Sequence, residues 1–158
     1  MINILIFVTL IIVMTKEQYS AYSFLLDRTA RRVKQYAQYR FNGGEFGVTV
    51  DQWVVLKNLK TRSDLSQKEL AECCAKDQPT LTRIIDLLVA KNLVERRVHA
   101  KDRRCFVIHL TENGDRLVDS LSDKVREIRQ QAWKNLNPQD FEDLKRILNT
   151  IYNNLEID

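Results

Sequence analysis

Gln78, Thr80, Thr82 and Arg83 stand close together in this chain, and Lys101, Asp102, Arg103 and Arg104 follow a short way on. None of them forms the pair of a nucleophile with its base. They are hydrogen-bond donors and charges, the equipment for grasping rather than for bond making. A guanidinium presents a planar fork of N–H groups that fits a phosphate or the edge of a guanine, and a glutamine amide fits adenine in the same two-pronged way. Arg83 and Gln78 are therefore candidates for reading bases. Thr80 and Thr82 have two open uses, base contact or ordinary capping and solvation. Arg103 is the candidate for insertion into a narrow, negative minor groove. Asp102 beside it would orient the guanidinium and help form a turn. Lys101 and Arg104 would add phosphate contacts.

The distribution of charge agrees with a polyanionic partner. The whole chain of 158 residues carries a formal net charge of only +4. Six basic residues face two acids between Lys91 and Arg104, however, and five face one between Asp27 and Arg40. From Cys105 onward ten acids outnumber seven bases. Such polarity is the footprint of nucleic-acid binding, although a solvated charged face is the commoner fate of a basic run.

These groups must be held by something rigid, and the patterning supplies it. A long helix is expected from Thr15 to Phe41, ended by "NGGEFG". Thr49 with Gln52, and Ser66 with Glu69, are capping-box pairs that open two further helices. Asp77 or Gln78 caps the next, with Pro79 in its first turn and Leu81, Ile84, Ile85 and Leu88 facing inward. Two short helices joined by a tight turn make a helix-turn-helix candidate, whose second helix enters the major groove with its N-terminal residues toward the bases. "LVERRV" and "RCFVIHL" then read as two strands, with Phe106, Ile108 and Leu110 alternating against Cys105, Val107 and His109. Thr111 caps a helix carrying Leu117, Leu121, Val125, Ile128 and Ala132 on one face. Asn137 and Pro138 open the last, with a stripe of Phe141, Leu144, Leu148, Ile151 and Leu155. The fold class is thus mainly α with a small β-hairpin wing.

"LSQKELAE", "PTLTRIIDLLVAKNLVERR" and "DRRCFVIHLTENG", in that order, resemble the MarR family of bacterial transcription regulators. The resemblance runs from about Thr49 to Val118. It implies an obligate homodimer whose first and last helices interleave, a palindromic double-stranded DNA site, and a small-molecule effector held between the winged domain and the dimer base. Tyr22, Tyr36 and Trp53 could line such a pocket, with core packing as the other use of each. On this basis 15–45 and 112–158 are dimerisation helices and 46–111 is the winged helix-turn-helix. Residues 1–14 are an apolar extension, about 21 Å long as a helix and so too short for a hydrocarbon core of roughly 30 Å. Translation from Met14 would remove it and leave a polar opening typical of a cytoplasmic protein. A winged helix that binds another protein and no DNA is the alternative reading.

Cys73, Cys74 and Cys105 are three thiols without a C-x-x-C pair. Reduced cysteines are expected rather than a zinc site, and no cofactor is called for. Cys74 is assigned to the core. Cys73 and Cys105 are the candidates for an oxidant-sensitive switch, a role some similar regulators give to cysteine. His99 is expected to be solvated near the wing tip, and His109 to sit against a helix. No glycine-rich phosphate loop or nucleophile elbow is present, so no enzyme is expected.

Overall fold

The computed structural model describes residues 15–44, 46–62, 65–98 and 106–155. Its elements are α1 (Lys16–Gly43), α2 (Val50–Thr61), α3 (Gln67–Cys73), α4 (Gln78–Ala90), β1 (Val94–Val98), β2 (Phe106–Leu110), α5 (Glu112–Ala132) and α6 (Pro138–Asn153). The mainly helical winged helix-turn-helix is the architecture observed. The apolar opening and the hairpin tip, with His99, Lys101, Asp102, Arg103, Arg104 and Cys105, lie outside the described residues.

Each helix begins where a short polar side chain can take over from the missing helical acceptor. Thr15 with Gln18, Thr49 with Gln52, Ser66 with Glu69 and Asn137 with Asp140 form reciprocal capping boxes. Asp77 and Thr111 cap α4 and α5. The first helix outruns the expected end at Phe41 by two residues and stops before Gly44.

The two stops inside the helix-turn-helix share one geometry. After α3 the N–H of Ala75 donates to the Glu72 carbonyl and that of Lys76 to the Ala71 carbonyl; after α4 the N–H of Asn92 donates to Val89 and that of Leu93 to Leu88. This is the Schellman pattern, which needs a left-handed residue. Ala75 and Asn92 supply it at φ 49° and 54°.

One core serves α2 to α5 and the hairpin. Val55, Leu56, Leu70, Leu81, Ile85, Leu88 and Val118 are fully buried in it, and Trp53, Val94, Ile108, Leu121, Val125 and Ile128 nearly so. The helical stripes expected for α2 and α4 are all inside. In α5 the buried line runs through Gly114, Val118, Leu121, Val125 and Ile128. Val118 thus takes the place expected of Leu117, which packs half-buried at the rim, and Ala132 is exposed. Gly114 explains the shift. A Cβ there would come within 2.0 Å of the Leu93 carbonyl oxygen, so α5 leans directly on the chain leaving α4.

The strands pair antiparallel from Val94 opposite Leu110 to Val98 opposite Phe106. Simple alternation fails in β2, where Val107 and Ile108 are both buried and Phe106 is exposed. Both faces are covered because Ser66 bridges to Val107, and the Ile108 N–H reaches the Leu65 carbonyl at 3.4 Å. The α6 helix has no buried residue, and Phe41 is the one buried residue of α1. No described helix is long and apolar enough to cross a membrane.

Candidate nucleic-acid interface

The exposed end of α4 is built from its cap outward. The Asp77 carboxylate accepts from the Thr80 N–H at 2.8 Å and from the Thr80 hydroxyl at 2.9 Å. These bonds to the charged form, the backbone one first, hold its carboxyl below the usual range. Asp77, not Gln78, is therefore the cap. Thr80 lies on the surface with its hydroxyl proton engaged. Thr82 is half-buried, donating to the Gln78 carbonyl at 2.9 Å and accepting from the Gln67 amide at 2.6 Å. It ties α3 to α4. Gln78 and Arg83 are exposed, and neither side chain has a hydrogen-bond or ion-pair partner among the described residues.

The wing root joins the same face. Arg96 on β1 reaches the Asp86 carboxylate on α4 at 2.6 Å, and Asp86 lies three residues beyond Arg83, one turn along the helix. At the other end of the hairpin the Thr111 hydroxyl donates to the Asn92 carbonyl at 2.7 Å while accepting from the Gly114 N–H at 3.1 Å. Hairpin and α4 are thus fastened at the strand and at the strand's exit.

These bonds also narrow the basic run. Lys91 donates to the Gly47 carbonyl at 2.8 Å and to Gln52 at 3.1 Å, Arg96 is paired with Asp86, and Arg97 with Glu95. The three cations of the run that the structure describes all have internal partners. In the second run, along α1, Arg31 pairs with Asp27, Lys34 with Asp51, Arg40 donates to the Tyr36 hydroxyl and Arg28 lies over Phe24, while Arg32 has no partner among the described residues. Counting charges along the sequence overstated what is free. Lys68, in the first turn of α3, escaped the sequence reading; it is exposed without a partner among the described residues. The signal was available, because the first helix of such a motif crosses the backbone.

Cys74 is buried, and burial first, then the neighbouring Cys73, pushes its thiol up to about 11. Its core assignment holds. Cys73 is half-buried, with its sulfur accepting from Arg62 Nη1 at 2.8 Å. Trp53 is 2% exposed and belongs to the core. Tyr22, 57% exposed, is not packed into the core, and Tyr36 is half-buried at its edge. A groove of about 380 Å³ instead runs between the end of α1 and α5, lined by Tyr39, Arg40, Phe46 and Lys124 among others.

A capped α4, a hairpin pinned beside it and long flanking helices make up the winged helix-turn-helix fold. The sequence model of the MarR family matches residues 46–104. MepR of S. aureus, solved in complex with DNA, is 27% identical with a TM-score of 0.76 over 85% of this chain and 98% of its own. BpsR of Bordetella bronchiseptica, whose DNA binding is regulated by 6-hydroxynicotinic acid, is 26% identical with a TM-score of 0.75 over 86% and 94%. A Listeria innocua protein of unknown function is 30% identical with a TM-score of 0.65 over 87% and 95%. Residues 46–104 thus match the MarR family, and the fold over most of the chain is that of these solved structures.

Proposed function

We propose that this protein is a transcriptional repressor that binds a palindromic operator as a homodimer and leaves it when a small molecule or an oxidant binds or modifies it. The observation that carries the reading is that Gln78 and Arg83, on the exposed end of α4, have no side-chain partner among the described residues, while Thr80 and Thr82 beside them are hydrogen-bonded. Support comes also from MepR, which shares the fold in complex with DNA. In this reading Arg83 and Gln78 contact base edges, and Thr80 and Lys68 lie toward the phosphates. Lys101, Arg103 and Arg104 of the wing reach the adjacent groove, with Asp102 orienting Arg103.

The effector is proposed to sit in the groove beside Arg40 and Lys124, since it touches both α1 and α5. BpsR is a precedent for control by a small aromatic acid. Such a ligand releases DNA only through unequal affinity for two dimer shapes. Cys73, beside Arg62, is the described thiol for an oxidant to act on; peroxide that leaves DNA affinity unchanged removes that branch.

The decisive experiment is recovery of genomic duplexes by the purified protein, followed by titration at several salt concentrations. Counterion release predicts that log K falls by roughly 0.9 per phosphate contact as log salt rises. Arg83→Ala should cost about 1–3 kcal/mol per half-site and relax specificity at one position. Arg103→Ala should weaken all sequences alike and lower the salt slope by about one per subunit. Failure to enrich any duplex, or affinity indifferent to salt, overturns the reading in favour of a protein-binding module.

A further inference from the structure

Adjacent residues in the first turn of α2 hold both ends of the reading helix. The Lys76 ammonium, one residue before the α4 cap, lies 2.9 Å from the Asp51 carboxylate. Lys91, the residue that closes α4, reaches the side chain of Gln52 and the Gly47 carbonyl. Gln52 is itself buried and fixed, its amide oxygen accepting from the Thr49 N–H at 3.2 Å. Asp51 has a second partner, Lys34 of α1, at 3.4 Å.

The two lysine contacts of Asp51 are not equivalent. Lys76 is 20% exposed and close; Lys34 is 57% exposed and further off. Burial works against the charge on Asp51, yet Lys76 and then Lys34 outweigh it and leave the carboxyl below its ordinary range. The apolar face of α4 fixes which side turns inward, but hydrophobic burial is non-directional and resists sliding or tilting weakly. Hydrogen-bonded charges at the two ends supply the missing direction.

We infer that Asp51 is a positioning residue for DNA reading, setting through Lys76 the angle at which α4 presents Gln78 and Arg83. The inference rests on the DNA-binding reading above. Asp51 touches no nucleic acid; it acts on specificity by acting on the helix.

The test compares wild type, Asp51→Asn, Lys76→Met and the double variant on a duplex the protein itself enriches and on a scrambled duplex of the same length. Each single variant should lose about three- to tenfold of the preference between the two, the size of one modest ion pair per subunit. The double variant should lose no more than either single, because both break one contact. The salt slope should stay unchanged, which a loss of phosphate contacts would not leave; a general loss of folded protein would weaken both duplexes alike and leave the preference intact. Unaltered preference in the singles, or losses that add in the double, overturns the inference. If wild type prefers no duplex, the regulator reading fails, and amide exchange then decides. Faster exchange at Thr80 and Leu81 in Asp51→Asn, with α5 unchanged, supports the mount; unchanged exchange there overturns it.

Discussion

The winged core and the flanking helices treat their apolar residues in opposite ways. In α2, α4 and α5 the stripes close on one another, and Leu56, Ile85 and Val118 lose all contact with solvent. In α6 the stripe is just as regular, yet Phe141, Ile147, Leu148 and Ile151 stay exposed, as do Leu25, Leu26 and Val33 of α1. Periodicity shows that a helix has a face to bury and leaves open what covers it. An uncovered face of this length on two long helices is what the proposed homodimer would use.

The contrast can be broken from either side. Leu56→Ala should cost about 3–4 kcal/mol through a cavity that cannot collapse, in a denaturant midpoint that does not move with protein concentration. Ile147→Ala should show a loss that shrinks as protein concentration rises, because it acts through association. Gly114→Ala should cost about 3 kcal/mol, since the obstacle to its methyl is backbone rather than a flexible side chain. Leu148→Asp should convert a dimer to a monomer in sedimentation while leaving the winged core folded.

Smaller effects sharpen the picture inside the core. The raised thiol of Cys74 means that the folded state holds its proton more tightly than the unfolded chain, where a cysteine ionises near 8.5. The stability this gives is full below that pH and is lost as pH rises toward about 11. Cys74→Ala should flatten the fall in denaturation midpoint between pH 8 and 10. Ala75→Gly should stabilise by about 0.5–1 kcal/mol. It relieves a left-handed alanine at φ 49°, less the extra freedom glycine gives the unfolded chain.

What the sequence made legible is what short-range chemistry decides. Thr49 with Gln52 and Ser66 with Glu69 announce helix starts because a cap and its partner lie within one turn. Leu81, Ile84, Ile85 and Leu88 announce an inner face for the same reason. Val107 was harder, because its cover comes from Leu65 and Ser66, distant in sequence. The inner place of Val118 depends on Gly114 meeting Leu93, a contact invisible to periodicity. For the site, Arg83 and Gln78 could be nominated from the motif, but Arg96 looked equally free until its pairing with Asp86 was seen. Gln52 reads as a cap partner and Asp51 carries no signal of its own, since the lysines they hold are distant in the chain.

The bond from Arg96 to Asp86 bears on anyone who would exchange hairpins among relatives. The pair is partly solvated and contributes little to folding free energy, so a chimera lacking it would melt almost normally and pass as intact. Its grafted hairpin would nonetheless lose its strand-side tie to α4 and keep the Thr111–Asn92 tie at its exit, and the defect would surface as blurred sequence choice. A graft intended to carry over another protein's target should therefore move position 96 together with position 86.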